Sequence, residues 1–108
     1  MELTVADLIA KLNAKEICIS DSARKVKGGY AGDFLSNVMG KAPTDCCWFT
    51  VMANVNVVAV ATLADVSLVV ICEGVEPDDS LVQKAKVQGV NIVSVKEDVY
   101  NAVIKSVR

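Results

Sequence analysis

The sequence contains no histidine, so it lacks the side chain that most often serves as a general base near neutral pH and as a metal ligand. No segment reads GxxxxGK[ST], so the phosphate-cradling loop with its lysine and magnesium-binding hydroxyl is missing and P-loop phosphoryl transfer is excluded. The longest apolar stretch, Val55 to Val70, is broken by Asn56, Thr62, Asp65 and Ser67. It falls short of the roughly 20 apolar residues of a membrane span. Charge is sparse, at 22% of residues, with a net charge of −2 and an isoelectric point of about 5.0. Lysine and arginine are scattered apart from Arg24, Lys25 and Lys27, which is no footprint for nucleic acid. Met1-Glu2-Leu3-Thr4 opens on an acidic residue and leads into an amphipathic segment, so no secretory leader and a cytoplasmic location are expected.

Four cysteines are present, and their spacing tells against a metal or a disulfide framework. Cys46 and Cys47 are adjacent, so on a strand they point to opposite faces, and neither forms a CxxC with Cys18 or Cys72. They read as reduced thiols that behave as small buried hydrophobes. No cofactor and no metal are expected.

Against these absences stands an abundance of apolar side chain. The chain of 108 residues is 53% hydrophobic, with a mean hydropathy of +0.42. Disorder is excluded. A chain this short folds as one domain, 1–108, and hides only roughly two-thirds of its unfolded surface. Part of the apolar excess must therefore lie outside, where a large apolar patch marks a partner site. A homodimer is expected.

The order of elements follows from periodicity and punctuation. Thr4-Val5-Ala6-Asp7 resembles a capping box, and Val5, Leu8, Ile9 and Leu12 form the buried stripe of the helix it opens. Glu16 to Ser20 alternates as the first strand, and Arg24 to Gly29 is extended and basic. Phe34, Leu35, Val38 and Met39 share a helical face, with Asp33 at the helix start and Gly40 at its stop. Cys46 to Met52 is a buried strand, Asn54 caps a helix from Val55 to Ala64, and Ser67 to Cys72 is a second buried strand. Four valines disfavour that helix, but parallel strands need a crossover between them. Pro77-Asp78-Asp79 opens a helix ending at Gly89, Asn91 to Val95 is a strand, and a helix carrying Tyr100, Val103, Ile104 and Val107 closes the chain. Strands alternating with helices predict a layered α/β fold with a mostly parallel sheet flanked by helices.

Val26-Lys27-Gly28-Gly29-Tyr30-Ala31-Gly32-Asp33-Phe34-Leu35-Ser36-Asn37-Val38-Met39, followed by Trp48-Phe49-Thr50 and by Asn56-Val57-Val58-Ala59-Val60-Ala61, resembles the DRTGG domain family. The likeness runs over almost the whole chain. It implies a fold like the N-terminal domain of HPr kinase/phosphorylase, a unit that tends to self-associate and that in larger relatives sits beside catalytic or CBS domains as a regulatory element. At the family's eponymous motif the paired glycines are kept, while Lys27 stands where a threonine is expected. The kinase label that some relatives carry does not transfer, because the phosphate cradle is absent.

Candidate sites each have a plainer alternative. Lys27, Gly28, Gly29, Tyr30 and Asp33 form a glycine-rich loop whose amides can approach a nucleotide or small anion, with Lys25 near. The alternative is a tight turn, with Asp33 repelling an anion. Asn54 and Asn56 follow a strand at the end where open α/β sheets place ligands, yet Asn54 also suits a helix cap. Ser36 and Thr50 have no histidine to activate them. Trp48 and Phe49 read as core or interface anchors, and Glu76, Asp78 and Asp79 as a solvated helix start. The sequence thus points to a non-catalytic regulatory or protein-interaction module that homodimerises and acts on an unknown protein partner. The alternative is a sensor of a nucleotide or small anion at the Gly28-Gly29 to Asp33 loop.

Overall fold

Thr4 and Asp7 close the reciprocal cap their spacing predicts. The Asp7 amide donates to Thr4 Oγ1 at 3.2 Å, and the Thr4 amide donates to Asp7 Oδ2 at 2.9 Å. The computed structural model describes residues 3–108; Met1 and Glu2, which carry the acidic opening of the sequence, lie outside the described residues. Strand β1 (Leu3–Thr4) leads into α1 (Val5–Leu12), which buries Val5, Leu8 and Leu12 and ends at Asn13 in the left-handed conformation.

Strand β2 (Lys15–Cys18) follows, then β3 (Lys25–Val26), which pairs antiparallel with β1. The expected first strand is therefore the second. The two-residue β1 was hidden because Leu3 and Thr4 are too few to show a period. After β3 come β4 (Gly29–Ala31), α2 (Leu35–Lys41), β5 (Cys47–Thr50), α3 (Asn56–Ala64), β6 (Leu68–Ile71), α4 (Asp79–Gln88), β7 (Ile92–Ser94) and α5 (Val99–Val107).

Five of these strands form one sheet in the order β2-β7-β6-β5-β4. Strands β4 to β7 run parallel, and β2 joins antiparallel at the far edge. Helices α2, α3 and α4 bury Val38, Val57, Val58, Ala61, Leu81 and Ala85 with Trp48, Val69, Ile71 and Ile92 on one face. On the other, α1 and α5 bury Val5, Leu8, Leu12 and Ala102 against Phe49, Leu68, Val70 and Val93. The layered, mostly parallel α/β fold is the one expected. Adjacent residues on β5 diverge as a pleated strand requires, Trp48 to the three-helix face and Phe49 to the two-helix face. Trp48 is core, and its indole N–H donates to Gly32 O at 2.9 Å.

Helix α3 keeps its valines because tertiary burial outweighs propensity: Val57, Val58 and Val60 are all buried. Helix α2 departs from expectation. It runs through Gly40 to Lys41, and of its anticipated apolar face only Val38 is fully buried, while Phe34 is 69% and Met39 47% exposed. Among the described residues no helix is long and apolar enough to cross a membrane.

Candidate functional site

Helix count and strand count do not match on the two-helix face. Two helices spaced about 10 Å apart cover roughly 20 Å, whereas five strands at about 4.8 Å span roughly 24 Å. The margin left uncovered is β4. Beside it lies an open groove of about 720 Å³, lined by Lys27, Gly28, Gly29, Tyr30 and Ala31 along one wall. Val26 and Phe49 from the strands and Leu8, Val103 and Val107 from the helices also line it.

The glycine pair has a divided role. Gly28 sits at φ +140°, where a side chain is strained, whereas a Cβ on Gly29 would meet Cys47 O at 3.5 Å and Phe49 Cε1 at 3.7 Å, ordinary contact distances. Only Gly28 is demanded by the backbone. It bends the chain between β3 and β4, and Lys27, exposed beside it, donates its amide to Asp45 O at 2.8 Å.

Asp33 does not open a helix. The helix starts at Leu35 behind Phe34, which makes no side-chain cap. Asp33 Oδ1 instead accepts from Thr50 Oγ1 at 2.7 Å and from the Val51 amide at 2.9 Å, tying the end of β4 to the end of β5. Thr50 is fully buried and its Oγ1 accepts the Met52 amide at 3.1 Å. Asn54 Oδ1 accepts the Asn56 amide at 2.9 Å in a local turn, but it is not the cap expected: α3 starts at Asn56 behind Val55, which makes no side-chain cap. The structure therefore brings Lys27, Gly28, Gly29 and Tyr30 together on the groove, and leaves Asp33, Asn54 and Asn56 off its lining.

Arg24 is likewise withdrawn from the basic cluster. Its Nη2 donates to Asp45 Oδ1, Asp65 O and Asp65 Oδ1, each at 2.9 Å, clamping the loop before β5 to the end of α3. Burial opposes the guanidinium charge, and the two carboxylates outweigh it, so its pKa is raised. At the other end of the sheet, the Lys105 hydrogen bond holds the Glu97 carboxyl below its ordinary range. Asp78 bonds the Leu81 amide at 2.9 Å and is the cap of α4, as the sequence suggests.

All four cysteines are unpaired and buried. Burial pushes Cys46 up to about 11 and Cys72 up to about 12, and raises Cys47 further. Such thiols stay protonated near neutral pH and are poor nucleophiles. Among the described residues no three His, Cys, Asp or Glu side chains are grouped to hold a metal.

Leu8, Val26, Val103 and Val107 are groove residues that sequence reading misses. Each carries a plain core signal, an apolar residue on a helical stripe or in an extended segment, and the groove arises only when the topology brings them beside β4.

Comparison with known proteins bears on this arrangement. The sequence profile of the DRTGG domain matches residues 7–106. A crystal structure of the CBS and DRTGG domains of the regulatory region of Clostridium perfringens pyrophosphatase, complexed with the activator diadenosine tetraphosphate, superposes with a TM-score of 0.81 at 14% identity. The match covers 96% of this chain and 46% of that one, so the chain spans about half the length of that region. No curated protein matches the chain.

Proposed function

Because the chain belongs to the DRTGG domain family, we propose that it is a non-catalytic regulatory module, one domain over residues 1–108, which pairs with a second copy and modulates or scaffolds a partner protein. The groove beside β4 carries this reading. An apolar recess next to a strand with an open edge suits docking of protein surface better than bond-making chemistry. The Ser106 hydroxyl on its lining is buried and donates to Val103 O at 2.6 Å. Unpaired thiols suit a cytoplasmic setting.

A second reading has its own observation. Lys27, Gly28, Gly29 and Tyr30 lie together on the groove wall, and the similar regulatory region was crystallised with a dinucleotide activator. In this reading the groove takes a nucleotide or small anion, with Lys27 and the glycine backbone toward its phosphates.

Sedimentation and thermal shift separate the two. A self-pairing adaptor sediments at twice the 11.5 kDa chain mass and keeps its melting temperature when diadenosine tetraphosphate, ATP or inorganic phosphate is added. A sensor gains about 2.7 kcal/mol at a hundredfold excess of ligand over Kd. A monomer that also ignores all three ligands would refute both readings.

A further inference from the structure

We propose that the second copy docks on the open edge of β4, so that two β4 strands pair antiparallel about a two-fold axis at Tyr30 and the two sheets join into one. The inference rests on the self-association read above and names its face.

Backbone geometry sets the register. The Cys47 amide donates to Gly28 O at 2.8 Å and the Gly32 amide to Phe49 O at 3.1 Å, with Tyr30 paired to Trp48 between them. In a parallel ladder this turns both backbone groups of Tyr30 toward β5 and leaves those of Gly29 and Ala31 facing away. Gly29 and Ala31 are exposed, and β1 pairs with β3 alone, no further along the chain than Val26. Four strand-edge groups are thus offered outward. One two-fold register engages all of them: Gly29 opposite the partner's Ala31, Ala31 opposite the partner's Gly29, and Tyr30 facing the partner's Tyr30 on the axis.

The charges fit that symmetry. Exposed Lys27 precedes the strand and exposed Asp33 follows it. Antiparallel pairing brings the Lys27 end of each copy to the Asp33 end of the other, twice per dimer. Between them lie only glycine, tyrosine and alanine, which carry no charge to repel a copy.

Apolar surface flanks the same edge in both layers. Helix α2 packs on α3 and forms the margin of its layer, with Phe34 69% and Met39 47% exposed. On the groove side Val107 is 77% exposed. The opposite edge of the sheet is defended. Strand β2 has a register shift between Glu16 and Cys18 and exposed charges at Lys15 and Glu16, the usual devices against edge pairing. Strand β4 has neither, and isologous pairing closes its edge instead of propagating it.

Three variants test the face, with sedimentation and far-UV circular dichroism as readouts. Ala31→Pro removes an outward N–H and no bond to β5, a placement edge strands tolerate. Lys27→Glu turns both end contacts into like-charge pairs. Each is expected to raise the dimer dissociation constant about tenfold or more while the chain stays folded. Tyr30→Cys is expected to give a disulfide-linked dimer on mild oxidation, because a non-hydrogen-bonded antiparallel pair stands at about 4.5 Å between Cα atoms, within disulfide reach. Gln83→Cys, exposed on α4 away from this edge, is expected to stay uncrosslinked. A wild-type monomer at about 100 µM, a concentration well above a micromolar dissociation constant, overturns both the face and the self-association it rests on. A dimer that ignores the first two variants and does not crosslink through Tyr30→Cys overturns this face and leaves self-association standing.

Discussion

Cys47 is 2% exposed between Phe49 and the two-helix layer, and its environment gives a thiolate nothing to compensate for lost water. Burial is the first cause of its raised pKa, with the neighbouring Cys46 and Cys72 adding to it. The consequence for stability has a definite sign. Below the unfolded thiol value near 8.5 both states hold the proton, and the fold is unaffected. Above it the unfolded chain releases the proton while the folded chain keeps it, so unfolding gains about 1.4 kcal/mol per pH unit for each such thiol. Cys46 stops contributing near its folded value of about 11 and Cys72 near about 12. The melting temperature is therefore expected to be flat from neutral pH to about 8.5 and to fall steeply above it. Cys47→Ala is expected to make that fall shallower by one thiol's share, with Cys46 and Cys72 still contributing. A wild-type profile level to pH 10.5, measured by circular dichroism, would contradict the thiol assignment.

Elements were legible wherever one residue does one local job. Asp78 is such a residue: its carboxylate accepts the Leu81 amide and starts α4. Asp78→Ala is expected to cost about 1 kcal/mol in urea unfolding, whereas Asp79→Ala, which removes no cap, is expected to cost a few tenths. Equal losses would mean that the helix start depends on charge alone. Thr4 with Asp7, and Gly89 at φ +70° after α4, were equally plain, because a cap needs only its neighbours in sequence. Asn91 shows what escapes such reading. Its Oδ1 accepts the Ser20 and Asp21 amides, and its Nδ2 donates to Asp21 O and Ser67 O. It joins β2's exit to the start of β6, yet in the sequence it is a polar residue at the head of a strand. Arg24 and Asp33 misled for the same reason. Their partners Asp45, Asp65 and Thr50 are 17 to 41 residues away, so a basic cluster and a helix start dissolved into long-range ties. Of the candidate site, the glycine bend was readable from Gly28-Gly29, and the groove was not, because its far wall comes from α1 and α5.

On the scale of the whole molecule, the five-stranded sheet has unequal helical cover, and the proposed pairing at its β4 margin would make stability depend on concentration. If the folded species is a dimer and the unfolded one a single chain, mass action favours folding as protein is added. Raising the chain concentration a hundredfold shifts the balance by about 2.7 kcal/mol per dimer, or about 1.4 kcal/mol per chain. For a domain near 100 residues, 1 kcal/mol moves the midpoint roughly 4–8 °C. Differential scanning calorimetry of the wild-type chain between about 1 and 100 µM is thus expected to show the melting temperature rising by several degrees. Ala31→Pro is expected to melt below the wild-type chain across that range, because weaker pairing at β4 needs more protein to reach the same stabilisation. A wild-type midpoint independent of concentration would place the completed margin within the single chain and remove the need for a second copy at Gly29–Ala31.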